Sequence, residues 1–160
     1  MIRQEDSRRG IDYIGVTGVF YCHDGNGHVL LHKRSQNCRD EQGRWDCGGG
    51  SMEFGETFEE TVRREVMEEY GVEPIKIEYV GTKNVLREHD GRKTHWVKNI
   101  HWVLVDPAQV RNNDPEKIDE IGWFTLSTVE GFTLDNPPQP LHSQFEDGVR
   151  LLKEYFQKSV

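Results

Sequence analysis

Apolar residues occur along the chain in short runs separated by glycine, asparagine and aspartate. Residues 14–21 and 28–34 are rich in valine, isoleucine, leucine and aromatic residues, and the Asp-Gly-Asn-Gly stretch at 24–27 supplies hairpin-turn chemistry between them. Residues 75–86 and 94–105 repeat this arrangement around a second polar turn. The pattern predicts two β-hairpins.

An amphipathic helix is predicted over residues 57–70, where apolar positions recur every four residues. Thr57 and Glu60 have the spacing of a capping box at its start, and Gly71 marks its end. The recurring apolar positions are Phe58, Val62, Val66 and Tyr70. The helix should therefore turn one face toward a core.

A second helix is predicted over residues 143–158, where Ser143 and Glu146 have the spacing of another capping box. Residues 106–117 are predicted to be a polar loop, 121–126 a short strand and 131–141 an irregular segment. The apolar stripe of the second helix comprises Phe145, Val149, Leu152 and Phe156.

The resulting order of elements, β-β-α-β-β-β-α, predicts an α+β fold, an α/β/α sandwich with a mixed central sheet between helices. The chain has 160 residues and is 34% hydrophobic, which suits one globular domain over 1–160. Residues 1–10 are polar and have no period, so they predict a flexible arm or a weakly held first strand.

Composition excludes several classes of function. The formal net charge of −8 opposes the counterion release that holds proteins on DNA or RNA polymers, but it does not exclude a small nucleotide delivered as a metal complex. No apolar run is long enough to cross a bilayer. The three cysteines form no CxxC pair, which argues against a disulfide framework or a zinc site. A cytoplasmic protein without membrane or nucleic-acid polymer partners is predicted.

Three acidic residues on the first helix point to chemistry. Glu65, Glu68 and Glu69 stand at i, i+3 and i+4, and the first and last of them fall on the edge of the apolar stripe. Clustered carboxylates beside an apolar surface are costly unless a cation neutralises them, and hard divalent ions such as Mg²⁺ prefer oxygen ligands. A glycine run, Gly48 to Gly50, lies just before this helix and would let backbone groups approach the same ion. Helix and glycine loop are therefore predicted to form one metal site.

The spacing of these residues is specific. From Gly50 the chain reads glycine, five residues, Glu56, seven residues, and then Arg-Glu-Val-Met-Glu-Glu-Tyr-Gly-Val at 64–72. Matching seven fixed and two apolar positions by chance has odds of roughly one in ten million for a chain this long. The stretch resembles the signature box of the Nudix hydrolase superfamily, and the chain is similar to its MutT-like members from Ile14 to Leu126.

The resemblance implies roles for individual residues. Metal would be bound by Glu65, Glu68, Glu69 and the backbone carbonyl of Gly49, with Mg²⁺ as the ion and Mn²⁺ able to substitute. Arg64 and Glu56 would support the ligands without touching substrate. A further catalytic carboxylate is expected from the loop before the 121–126 strand, with Glu120 favoured over Glu116 and Asp119, and the proton of the attacking water would pass to Glu69 or Glu120. Arg34 would bind phosphate or be an ordinary surface arginine.

The resemblance also implies a small-molecule nucleotide substrate whose phosphoanhydride bond is cleaved by water, with a (d)NTP or oxidised (d)NTP favoured. ADP-ribose or another nucleotide sugar is the alternative. A non-catalytic nucleotide-binding module and a purely structural acidic domain are competing hypotheses, and a homodimer is left open. Tryptophans that could stack on a base or belong to the core are Trp96, Trp102 and Trp123. Histidines that could contact substrate or be structural are His95, His101 and His142.

Overall fold

The fold is taken from a computed structural model that describes residues 6–127 and 133–158. The first half of the predicted arm, 1–5, and the first two residues of the predicted irregular segment, 131 and 132, lie outside the described residues. The strands are β1 (Gly15–His23), β2 (His28–Arg34), β3 (Trp45–Asp46), β4 (Gly48–Ser51), β5 (Lys76–His89), β6 (Arg92–Leu104), β7 (Ile118–Ser127) and β8 (Thr133–Leu134), and the helices are α1 (Phe58–Tyr70) and α2 (Phe145–Lys158).

The strands form one mixed sheet in the order β5-β6-β1-β2-β7-β8. The β1–β2 and β5–β6 pairs are antiparallel, which confirms both predicted hairpins, and β1 pairs with β6 in parallel. β7 is longer than the predicted 121–126 strand because it continues to pair with β2 down to Ile118. The short pair β7–β8 adds a strand within the segment that was predicted to be irregular.

The glycine run is a strand, not the predicted loop. β1 and β2 pair directly only near their turn, through Cys22 and His23, and β3 and β4 fill the gap beyond it by pairing with β2 and β1 respectively. A side chain would not fit at Gly48, because an added Cβ would lie 2.0 Å from the ring of Phe20. Glycine normally weakens a strand. Here the small size of glycine is required, because the Phe20 ring lies against Gly48 and the Glu65 carboxyl group lies against Gly50.

The helices cover opposite faces of the sheet, which confirms the sandwich. Each helix has its own core, so the sheet is buried on both sides over its centre. The core under α1 consists of Phe20, Cys22, Leu30, Val62, Val66, Tyr70, Val72, Val103, Val105 and Ile118. The core under α2 consists of Tyr21, Val29, Leu31, Trp45, Cys47, Ile100, Trp102, Leu126, Phe145 and Leu152.

The start of α1 confirms the capping box. The Thr57 hydroxyl accepts from the Glu60 amide, and the Glu60 carboxylate accepts from the Thr57 amide. Gly71 ends the helix in the left-handed conformation, with φ of 62°. These local bonds hold the helix that carries the three glutamates.

Replacing Thr57 by alanine is expected to lower the free energy of unfolding by about 1 kcal/mol, because one amide of the first turn loses its acceptor. Chemical denaturation measures this, and Thr57→Ser, which keeps the hydroxyl, is the matched control. Equal stability of the alanine and serine variants would show that the cap contributes nothing.

The second predicted capping box does not form. α2 begins at Phe145, and both the amide and the hydroxyl of Ser143 donate to the carboxylate of Glu41, at 2.8 and 3.0 Å. Glu41 lies in the loop between β2 and β3, so this contact ties that loop to the start of α2. Ser143 therefore makes a tertiary contact with Glu41 instead of the helix cap that the local pattern predicts.

Two further findings concern the ends and the surface of the fold. Arg9, inside the predicted arm, donates to the carbonyl of Met52 and forms an ion pair with Glu53 at 3.0 Å, so this part of the arm is held against the segment before α1. Over 6–127 and 133–158, neither helix has the length and apolar character needed to span a membrane.

Candidate functional site

The candidate site lies where α1 packs against β4. At Gly50 an added Cβ would lie 1.9 Å from the carboxyl carbon of Glu65. The close contact between Gly50 and Glu65 is therefore possible only because position 50 has no side chain. The Gly50 carbonyl also accepts from the Thr17 hydroxyl at 2.8 Å, which holds β4 on β1. The predicted proximity of the glycine run and the glutamate helix is confirmed in this contact.

Arg64 lies at the centre of a network of carboxylates. Its Nε donates to Glu56 at 2.6 Å, its Nη1 donates to Glu65 at 2.7 Å, and its Nη2 donates to the Ser51 carbonyl at 3.0 Å. The hydrogen bonds from Arg64 lower the pKa of Glu56 to about 2. Because Arg64 bonds both to Ser51 on β4 and to Glu65 on α1, it fixes the position of Glu65 relative to β4.

Glu69 has no such cation. Its Oε2 is buried and has no hydrogen-bond partner among the described residues. Burial raises the pKa of Glu69 well above its usual range, and the nearby charge of Glu65 raises it further, while a hydrogen bond from the Gly49 amide acts in the opposite direction. A buried carboxylate oxygen without a donor is costly, and a bound cation would relieve that cost.

The three glutamates therefore differ in their surroundings. Glu65 is 13% exposed and paired with Arg64, whereas Glu68 is 56% exposed and reaches Arg64 only at 3.4 Å. Among the described residues, no three carboxylate, imidazole or thiolate groups lie close enough together to enclose a metal ion. The donor set nevertheless fits a hard divalent cation, because it consists of carboxylate oxygens and includes the unpartnered Oε2 of Glu69.

Two depressions meet at this point. A groove is lined by all three glutamates and by Arg34, Asp114 and Lys117. A cavity of about 260 Å³ lies between the sheet and the start of α2. Both are lined by Gly49, Gly50, Ser51 and Glu69, so a molecule in the cavity can reach the glutamates.

The structure brings Asp114 to the groove instead of Glu120. Glu120 is exposed on β7 opposite Lys33, and it is not among the described residues that line the groove. Asp114 lines the groove and acts electrostatically on Glu69. The Asn112 side chain accepts from the Asp114 amide, and Asp114 accepts from the amides of Lys117 and Ile118 through its carbonyl, so a compact turn sets its position.

Arg34 lies between the groove and the cavity, as a phosphate-binding residue would. Its guanidinium donates to the backbone and side-chain oxygens of Asp40, at 3.0 and 2.9 Å through Nη2. The Arg34 side chain is 20% exposed, so solvent still reaches the guanidinium, and phosphate binding stays a prediction. Asp40 holds the guanidinium at the junction of the two depressions.

The aromatic and histidine candidates divide into two groups. Trp102 and Trp123 pack in or against the cores, and His101 is buried between Tyr79 and Phe58. Trp96 and His142 line the cavity. His142 contacts Glu41 at 2.6 Å, and Trp96 lies under the guanidinium of Arg39 at 5.8 Å. His95 contacts the side chain of Asn84 at 2.9 Å and does not line the cavity.

Sequence reasoning missed the remaining cavity residues. The cavity floor comes from β6, where Trp96, Lys98 and Ile100 alternate on one face, and from the neighbouring strands β1 and β5. Strand alternation could have placed these three residues on one face. It could not have shown that the face is open above Lys98, since that depends on where α2 begins.

Comparison with known proteins agrees with this geometry. A profile of the NUDIX domain matches residues 13–145. The nucleoside triphosphatase NudI of Enterobacter sp. strain 638 is 48% identical over 118 residues, covering 69% of this chain and 80% of that protein. Nudix hydrolase 3 of Caenorhabditis elegans is 45% identical over 65 residues, and the match spans 40% of this chain but only 27% of that longer relative.

The fold is also shared with solved structures. The MutT NUDIX hydrolase from Burkholderia pseudomallei superposes with a TM-score of 0.72 at 24% identity, covering 87% of this chain and 98% of that one. The two helices on a mixed sheet are therefore the architecture of that protein too. With the signature spacing on α1 and the match over residues 13–145, the chain belongs to the Nudix hydrolase family, whose members act on phosphoanhydride bonds.

Proposed function

We propose that this protein is a divalent-metal-dependent pyrophosphohydrolase that converts a (d)NTP or an oxidised (d)NTP to the nucleoside monophosphate and pyrophosphate. The observation that carries the proposal is the unpartnered, buried Oε2 of Glu69 at the junction of groove and cavity. The hypothesis of a purely structural acidic domain does not explain this group, because a buried carboxylate oxygen without a hydrogen-bond donor destabilises the fold. Glu69 is therefore assigned to binding and catalysis.

The metal would be held by Glu65, Glu68 and Glu69, with the carbonyl of Gly49 as a further ligand. Nudix hydrolases generally need a divalent ion. When bound, Mg²⁺ or Mn²⁺ supplies charge neutralisation at the phosphates and lowers the pKa of a coordinated water. The residues fit either ion, since all the donors are oxygens.

The remaining roles belong to the chain's own residues. Arg64 and Glu56 hold Glu65 in place through the network described above. Glu69 or Asp114 accepts the proton of the attacking water, since both lie at the groove. Arg34 lies where it can bind a phosphate oxygen in exchange for one of its bonds to Asp40. Positioning and charge neutralisation supply most of the acceleration in such reactions.

A nucleoside triphosphate is favoured as substrate by the likeness to NudI, because that relative is matched over most of its length. ADP-ribose and other nucleotide sugars remain the alternative that the test must include. Homodimer formation and a cytoplasmic location stay predictions from the sequence.

The test is a substrate panel with product analysis. Purified protein with Mg²⁺ or Mn²⁺ is expected to release pyrophosphate from NTPs and oxidised dNTPs, and to lose activity when the ion is chelated, with recovery on adding it back. Released pyrophosphate separates this reaction from ADP-ribose cleavage, which yields two monophosphates. A larger kcat/KM for ADP-ribose than for every NTP would overturn the substrate assignment, and metal-independent turnover would overturn the mechanism.

A further inference from the structure

Two of the described basic residues that line the cavity beside the glutamates, Arg39 and Lys98, have no acidic partner among the described residues. Five of the described residues that line it are basic: Arg34, Arg39, Lys83, Arg87 and Lys98. Three of these form ion pairs, Arg34 with Asp40, Lys83 with Asp147, and Arg87 with Glu41 and Asp40. Arg39 lies over Trp96. Within the described part of the chain, Lys98 has no carboxylate in ion-pair range although it is half-buried.

The strand register shows where Lys98 lies relative to the glutamates. Lys83, Lys98, Thr17 and Ser51 are directly opposite one another on four adjacent strands. Adjacent strands are about 4.8 Å apart, so the backbone of Lys98 is about 10 Å from Ser51, which neighbours the contact between Gly50 and Glu65. A phosphate chain held at the glutamates would place its nucleoside over Lys98. Two residues away on the same face, Trp96 also lines the cavity, beneath the guanidinium of Arg39.

An acceptor lines the same cavity, on β3 of the same sheet. Asp46 is 17% exposed, and its Oδ1 accepts from the Cys47 amide at 2.8 Å. Its Oδ2 is 3.8 Å from Nε2 of His142, which is too far for a hydrogen bond. Lys98 and Asp46 both line this cavity, together with Cys47 and His142.

The pair has a fixed polarity. A lysine ammonium can only donate hydrogen bonds, and an aspartate carboxylate can only accept them. Guanine, hypoxanthine, uracil and thymine present a carbonyl next to a ring N–H, which is the complement of this pair. Adenine and cytosine present an amino group next to an unprotonated ring nitrogen, which reverses the polarity.

We propose that Lys98 and Asp46 read the nucleobase and select keto bases over amino bases, with Lys98 donating to the base carbonyl and Asp46 accepting from the adjacent ring N–H. The inference rests on the proposed function, because it takes the substrate to be a nucleotide whose phosphates lie at the glutamates. It adds a substrate class to that function. Lys98 and Asp46 are specificity residues and take no part in bond cleavage.

Binding of products tests the proposal without metal or turnover. Calorimetry on the metal-free protein is expected to show GMP and UMP binding about tenfold more tightly than AMP and CMP. Lys98→Met keeps the length of the side chain and should bring the four affinities within about twofold, mainly by weakening the keto nucleotides. Asp46→Asn removes the negative acceptor and should narrow the ratio in the same direction, which provides a second test if the lysine variant does not fold.

Lys83→Met is the matched control. Lys83 lines the same cavity on the adjacent strand, but its charge is already neutralised by Asp147, so the keto preference should survive this change. Equal affinity of the wild type for all four monophosphates, binding of none, or a preference for AMP and CMP would overturn the inference. It would also be overturned if Lys98→Met weakened all four equally, since that is the behaviour of a phosphate contact. Failure of the hydrolysis assay with a retained keto preference would instead count against the proposed catalytic function alone.

Discussion

Replacing Glu69 by glutamine is expected to lower kcat for NTP hydrolysis by about 10²- to 10⁴-fold, the range for removing a group that takes part in proton transfer. The metal-free variant should be at least as stable as the wild type, because a neutral amide avoids the desolvation of the buried carboxylate. The opposite signs of the two effects arise from one fact: Oε2 of Glu69 is buried without a donor. Stopped assays of pyrophosphate release and chemical denaturation of the metal-free protein measure them.

Glu59→Gln is the matched control for this substitution. Glu59 lies on the same helix, is 64% exposed and pairs with Arg63 at 3.0 Å, away from the groove. Because exposed pairs of this kind contribute little, its activity and stability should stay close to those of the wild type. Activity of Glu69→Gln within a few-fold of wild type would refute the assignment of Glu69, whatever its stability.

Gly50→Ala is expected to reduce kcat/KM by about 10²-fold or more while the protein remains folded. An added Cβ would lie 1.9 Å from the carboxyl carbon of Glu65, so that carboxyl group must move. It lies at the end of a flexible side chain, which makes the move cheap for folding. For activity it is costly, since a misplacement of about 1 Å at a reacting centre can lower the rate by two orders of magnitude.

The control for this change is Gly81→Ala on β5, where an added Cβ meets no atom within 4 Å. It should leave kcat/KM unchanged. Metal binding measured by calorimetry adds an independent readout, because a displaced Glu65 should weaken the affinity for Mn²⁺ in Gly50→Ala alone. If Gly50→Ala retained full activity and affinity, the contact between β4 and α1 would not be what positions Glu65.

Together the two variants separate two sources of activity. Glu69 contributes a buried, unneutralised oxygen, and Gly50 contributes the space in which Glu65 is held by Arg64. From the sequence, the three glutamates are predicted to form one cluster that needs a cation. In the structure Arg64 compensates Glu65 and solvent reaches Glu68, so the physical case for a bound cation depends mainly on Glu69.

The sequence by itself determined the local elements and the chemistry of the motif. The capping box of α1, its stop at Gly71 and both hairpins were predictable because their signals lie within a few residues of one another. The glutamates could be found for the same reason, since a helix converts spacing along the chain directly into position on one face. The resemblance of residues 50–72 to the Nudix signature then indicated the reaction class.

Only the tertiary structure decided the parts of the site that come from separate elements. The glycine run became a strand because β1 and β2 separate and leave a gap, which no local propensity encodes. Asp114 reached the groove through a loop turn, while Glu120, nearer in sequence to the expected position, is exposed on β7. Lys98 and Asp46 line one cavity whose shape depends on where α2 begins. Such pairs are joined through long-range packing, and a single sequence carries no local signal for it.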